Sequence, residues 1–445
     1  MTPVRYQPEF LYAEGRLHRG RALTVDGEGC VASGQVDGGE AIALPGRALF
    51  PGLVNAHSHA FQRLLRGRVQ VSAGRTTDDF WSWREQMYRA ASVLGPEELY
   101  AVCRQTFLEM AFAGVTAVGE FHYLHHQPDG RRYADRQELA WQVLRAAREV
   151  GLRIVLLRVG YARAGFGVSA NPRQARFIDE SVDAFLAAVE ELSAKNRDPL
   201  ATVGMAPHSV RAVPKEWMEA LGKLPPRLTH LHVAEQPKEV EACLAEHRRR
   251  PVELLADVGL LHAQMTAVHG IHLTVEEVSA LGRATAAVCA CPSTERDLGD
   301  GVVPADALAT AGVTLALGSD SQAQVDLLDE ARQLEGHLRL IRGRRGVLDP
   351  VGLFQAATRG GARSLGLPTG ELVPGAPADF FTVDLSHPSL VGVAEEALLP
   401  AVVFGAEKTA VREVAVQGQL IVREGHHPLA EDIGRSYLEV ARRLI

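Results

Sequence analysis

Ala48-Leu49-Phe50-Pro51-Gly52-Leu53-Val54-Asn55-Ala56-His57-Ser58-His59 is an apolar run that breaks off into side chains able to bind a metal. The pattern recurs downstream. Apolar runs stand at residues 115–118, 154–159, 201–206, 228–234, 265–268, 286–291 and 313–317, with helical patterns between them. Within residues 179–195, Val182, Phe185, Leu186, Val189 and Leu192 fall at three- and four-residue spacings, one stripe of a helix. Near-continuous apolar strands alternating with helices predict a parallel sheet covered on both faces. Eight such units predict an α/β fold, a closed (β/α)8 TIM-like barrel. An open sheet would favour a Gly-rich phosphate loop after the first strand, and no G-x-G-x-x-G follows it.

Working outward, residues 1–49 and 370–432 read as short strands broken by glycine turns. They predict one small β-sandwich domain built from both termini, around a catalytic barrel at 50–369, with a helix at 433–445. The 445 residues are 46% hydrophobic and 23% charged, enough to bury a large core. A net charge of −7 gives no general attraction for nucleic acid or anionic membranes, so those partners are disfavoured. The five cysteines are odd in number and scattered, which fits a reducing compartment better than a disulfide framework. No basic start leads into an apolar leader, and no run of about 18 apolar residues is present. A cytoplasmic protein is expected, and a symmetric homodimer is the base-rate assembly.

Active sites of such barrels form at the C-terminal strand ends. Here strand one ends in His57-Ser58-His59, strand four at His208, and strand five in His232-Val-Ala-Glu235. Strand six ends at His269 and strand eight in Gly318-Ser319-Asp320. Side chains two apart on a strand share a face, so His57 and His59 point together. With His232 and the Asp320 carboxylate they make a nitrogen–oxygen site suited to zinc or iron(II). An H-x-H pair alone is commonly a packing feature. Convergence from separate strands is what favours a metal.

The stretch from Pro51 to His59, with His232-Val-Ala-Glu235, His269-Gly and Gly318-Ser-Asp320, resembles the amidohydrolase superfamily over nearly the whole chain. More narrowly, His59-Ala-Phe-Gln62-Arg63 and Phe80-Trp-Ser-Trp-Arg84-Glu-Gln-Met-Tyr88 resemble the formimidoylglutamate deiminases of bacterial histidine degradation. The resemblance implies a single divalent ion, zinc or iron(II), held by His57, His59, His232 and Asp320. Strand four ends in His208 rather than in a bridging lysine or glutamate, and Lys195 and Lys215 lie in flanking segments. It further implies Asp320 as proton acceptor, His269 beside the metal-bound water and Glu235 as donor to the departing nitrogen. Gln62, Arg84, Tyr123, His208 and Arg211 match substrate contacts, here for a dicarboxylate.

Each residue has a bland alternative. Most arginines in this chain must be solvated, which tempers Arg84 and Arg211. Trp81 and Trp83 read as packing rather than ligand contacts. His122, His125 and His126 lie in a polar stretch without an obvious partner, and Ser321-Gln322-Ala323 matches no family signature. Two other functions stay open. One is an aromatic-base deaminase or chlorohydrolase with the same machinery, which an aromatic content of 6% does not favour. The other is a metal-free scaffold, which would be expected to have lost ligands.

Overall fold

The computed structural model describes residues 2–34, 39–70 and 80–444. Its centre is an eight-stranded parallel sheet in strict chain order. The strands are β1 (Leu53–Ser58), β2 (Val115–His122), β3 (Arg153–Gly160) and β4 (Ala201–Pro207), then β5 (Thr229–Val233), β6 (Met265–His269), β7 (Ala287–Ala290) and β8 (Thr314–Leu317). Every residue of β1, β2, β3, β5, β6 and β7 is buried, as a sheet covered on one face by helices and filled on the other requires. The barrel closes thinly. Between β8 and β1 the backbone pairing is a single bridge, Ser58 with Asp320, just beyond the end of β8.

The opening run of the sequence is two strands, not one. Glu40–Pro51 belongs to the terminal sheet and Leu53–Ser58 to the barrel, so residues 48–54 straddle a junction. Gly52 sits at that junction, where a Cβ would lie 2.1 Å from Thr116 Oγ1. Only glycine lets the chain cross between the sheets so close to β2.

Both termini build one seven-stranded sheet around Val4–Ala13 and Glu40–Pro51, completed by Phe380–Asp384, Val411–Val416 and Gln419–Val422 from the far end of the chain. Its side chains alternate between two cores. Tyr6, Leu11, Leu49 and Phe380 fill the sheet's own cluster, while Phe10, Tyr12, Phe50 and Phe381 join the main core with the barrel. Phe50 stacks on Phe381 at 5.6 Å and meets Phe354 edge-on at 5.7 Å, which fastens the sheet to the barrel's last helices.

Helix Val182–Lys195 starts at a Ser181 cap and buries Phe185, Val189 and Leu192, the stripe seen in the sequence. The final helix, Ala430–Leu444, begins ahead of its expected start and is tied to helix Pro96–Phe112 by Arg104 on Asp432 at 2.8 Å. All five cysteines are unbonded. Among the described residues no helix is long and apolar enough to cross a membrane.

Candidate metal centre and active site

The strand ends turn sharply. Ala234, His269, Asp320 and Gln322 take positive φ angles of 52°, 70°, 44° and 60°, unusual for residues with a Cβ. Such strain persists only where the surroundings impose it, and these four residues stand at one end of the barrel. At that end His57 Nε2 lies 3.2 Å from His59 Nε2 and 3.3 Å from Asp320 Oδ1, with His59 Nε2 3.2 Å from the same oxygen. His232 completes the group, with all four donor atoms within 4.8 Å of one another.

These spacings fit an ion. Tetrahedral bonds of about 2.0–2.1 Å put neighbouring donors about 3.3 Å apart. The imidazoles are also prepared for it: His59 Nδ1 donates to Phe121 O at 3.0 Å and His232 Nδ1 to His208 O at 3.1 Å. Backbone carbonyls thus fix the tautomer that turns each Nε2 lone pair into the site. Burial pushes His57 down to about 3 and His232 well below the usual histidine range, so both are neutral, as ligands must be. Asp320 Oδ1 faces both Nε2 atoms, so a carboxylate oxygen joins the nitrogen donors. Among the described residues no lysine lines the cavity: Lys195 and Lys215 pair with Glu191 and Glu219 outside it.

His269 is pinned between acids. Its Nδ1 lies 3.2 Å from Glu295 Oε1, and its Nε2 lies 3.7 Å from Glu235 Oε1 and 3.9 Å from Asp320 Oδ2. Burial would lower its pKa, yet Glu235, Glu295 and Asp320 raise it well above the ordinary value. Cys291 converges with His269 and Glu295, but the Cys291 N–H already donates to Glu295 Oε1 at 2.7 Å. Glu235 is buried, not solvated, and its backbone is tied to Glu239, which accepts from the N–H groups of Ala234 and Glu235 at 3.1 and 3.2 Å.

Gln62, Tyr123, His208 and Arg211 line the same cavity as His59, His232, Glu235, His269 and Asp320. Gln62 Nε2 donates to Tyr123 OH at 2.8 Å. Arg211 is buried, and Glu235 and Glu239 outweigh the desolvation to keep its guanidinium charged. The side chain of Arg84 lies outside the described residues, though its helix, Phe80–Ser92, sends Trp83, Met87 and Tyr88 into the cavity wall. A wider surface cleft beside β3 holds none of these groups, and its Arg158 and Arg132 are paired with Asp179 and Glu180.

Sequence reasoning missed several residues. Strands three and seven were the two ends for which no polar candidate stood out, and they supply Tyr161 and Glu295. Aromatic content also misled. Trp83, Tyr88, Tyr123, Tyr161 and Phe177 all line the cavity, but Gln174 Nε2 donates to the hydroxyls of Tyr88 and Tyr161 at 3.1 and 3.0 Å, so the wall is polar as well as aromatic. His122, His125 and His126 are not a polar loop. His122 ends β2, and His125 and His126 donate to the carbonyls of Val159 and Ile178, both at 2.9 Å, so the latter two serve packing and backbone pairing.

The amidohydrolase family model matches residues 48–421, from the junction before β1 to the last strand of the terminal sheet. The chain belongs to the amidohydrolase family. As a member it is a metal-dependent hydrolase. Formimidoylglutamate deiminase of Pseudomonas aeruginosa is 39% identical to this amidohydrolase over 422 residues, 92% of this chain and 91% of the relative. A 5-methylthioadenosine/S-adenosylhomocysteine deaminase of Halobacterium salinarum is 31% identical, over 94% of this chain and 90% of its own. The crystal structure of an amidohydrolase from Brucella melitensis superposes with a TM-score of 0.89 at 34% identity, covering 99% of each chain.

Proposed function

We propose that this amidohydrolase hydrolyses N-formimidoyl-L-glutamate to N-formyl-L-glutamate and ammonia, a step of histidine degradation. The observation that carries the reading is the placement of Arg211, Gln62 and Tyr123 in the cavity that also holds the metal-competent cluster. The likeness to a formimidoylglutamate deiminase supports it. His57, His59, His232 and Asp320 would hold one divalent ion, zinc or iron(II). Such an ion lowers the pKa of a coordinated water from about 15.7 towards about 7.

The chain's own groups do the rest. Asp320 takes the proton released as water adds to the formimidoyl carbon. His269, kept charged by its carboxylates, steadies the oxygen side of that carbon. Glu235 carries the proton of the resulting hydroxyl to the terminal nitrogen, which leaves as ammonia while the carbon–oxygen double bond forms. The substrate's two carboxylates need cationic partners, and a guanidinium fork suits them better than an ammonium. Arg211 fills that role from the loop after β4, and the sequence resemblance assigns Arg84 the same task. Gln62, Tyr123 and His208 complete the grip.

The alternative is a deaminase acting on a flat base, favoured by the aromatic side chains of the cavity and by the nucleoside-deaminase relative. Ammonia release from formimidoylglutamate, 5-methylthioadenosine, guanine and cytosine separates the two. Turnover of formimidoylglutamate well above the bases is expected. Faster release from any base would overturn the narrow reading and leave the metal-dependent deaminase class.

A further inference from the structure

The barrel is least secure where its metal-binding edges meet. β1 and β8 share one backbone bridge, in which His59 N–H donates to Asp320 O and Asp320 N–H to His57 O, each at 3.0 Å. Three of the four proposed ligands therefore hang on a seam that two backbone hydrogen bonds hold. A one-residue slip there would turn their side chains to the opposite face.

Behind the seam runs a chain of buried polar groups. Asn55 Nδ2 donates to Ser319 Oγ at 2.7 Å, Ser319 Oγ to Gln322 Oε1 at 3.0 Å, and Gln322 Nε2 to Ser58 Oγ at 2.9 Å. Ser58 Oγ then donates to Glu120 Oε2 at 2.5 Å, and the other oxygen of Glu120 accepts the Ala60 N–H at 2.8 Å. Ser319 N–H returns to Asn55 Oδ1 at 3.0 Å, and Gln322 Nε2 also reaches Asp320 O at 3.0 Å. Four members have no exposed surface and Glu120 has 2%.

The chain has a direction. A hydroxyl has one proton to give, so each serine passes its proton one way only. At one end Asn55 offers an amide donor; at the other both oxygens of Glu120 receive donors. Glu120 therefore sets the polarity of the whole run from β2, while Gln322, held at φ 60°, closes it from beyond β8.

We propose that Glu120 and Gln322 are positioning residues for the metal centre. They fix the register of β1 against β8, and with it the spacing of His57, His59 and Asp320, without lining the cavity themselves. The proposal rests on the assignment of those three residues as ligands. Glu120→Gln turns an amide NH2 against either the Ser58 hydroxyl or the Ala60 N–H, both already donors. Gln322→Met keeps much of the volume but removes every link the amide makes.

The test uses the full chain stripped of metal and reloaded with cobalt(II), whose visible absorption reports ligand geometry. Each variant should bind cobalt about 10–100-fold more weakly in chelator competition, the usual cost of losing a group that orients ligands. The absorption bands should also shift. His59→Ala, which removes a ligand side chain but leaves the backbone seam bond of residue 59, serves as the control. If it retains cobalt at wild-type affinity, the ligand assignment itself fails. If it loses cobalt while Glu120→Gln and Gln322→Met, both folded by circular dichroism, keep wild-type affinity and spectrum, the seam proposal alone is overturned. Should one variant not fold, the other decides on the same criteria.

Discussion

Glu295 holds His269 by its Nδ1, 3.2 Å from Oε1, and leaves Nε2 to face Glu235 and Asp320. The carboxylate thereby fixes the orientation of the ring and, with Glu235 and Asp320, favours its charge, as an orienting acid does for a catalytic histidine. Glu295→Gln should preserve metal content and lower kcat by about 10²-fold, within the range of acid–base effects. Metal analysis beside steady-state kinetics checks it, and unchanged kcat would show that Glu295 only packs.

Glu235 should behave differently from the ligands. Glu235→Gln should keep metal and fold while slowing turnover by about 10²–10⁴-fold. Asp320→Asn and His232→Ala should lower metal occupancy as well. A Glu235→Gln protein that lost its metal would make Glu235 a ligand.

Arg211 should report on the substrate's charge. Arg211→Met should cost about 2–5 kcal/mol in kcat/KM, as when one member of a buried charge pair is removed. The penalty should fall away for an analogue lacking the carboxylate that Arg211 grips. An equal loss for both substrates would mean that Arg211 serves the fold through Glu235 and Glu239.

Glu330 gives a pH signature of its own. Burial pushes its carboxyl up to about 8, against 4.5 when free, and its Oε2 accepts the Ser293 N–H at 2.9 Å. Between those values the folded protein keeps a proton that the unfolded chain releases. The stability it contributes is present below about 4.5 and lost as pH rises through 8. The Tm of Glu330→Gln relative to wild type should therefore climb from pH 5 to pH 9. A constant difference across that range would show that Glu330 does not titrate there.

Metal removal should destabilise the protein, because an ion that binds only the folded chain adds its binding free energy to stability. Chelation should lower Tm, and zinc or iron(II) should restore it in proportion to occupancy. A Tm indifferent to chelator, in protein shown to have lost its ion, would contradict the coupling.

The eight apolar runs and the helical stripes between them were legible in the sequence, because burial on both faces of a parallel strand leaves a local compositional mark. So were His57, His59, His232, His269 and Asp320, since each ends such a run and strand periodicity sets its direction. The sequence alone thus determined the barrel, its functional end and the chemistry of its donors. Only the tertiary structure decided which groups stand behind them. Glu120, Glu295 and Gln322 act through partners 26 to 264 residues away, as Glu295 on His269 and Gln322 on Ser58 illustrate, and no local period encodes such pairs. The split of residues 48–54 between two sheets was hidden for the same reason. An apolar strand reads alike in either sheet, and what parts them at Gly52 is the approach of Thr116 from β2.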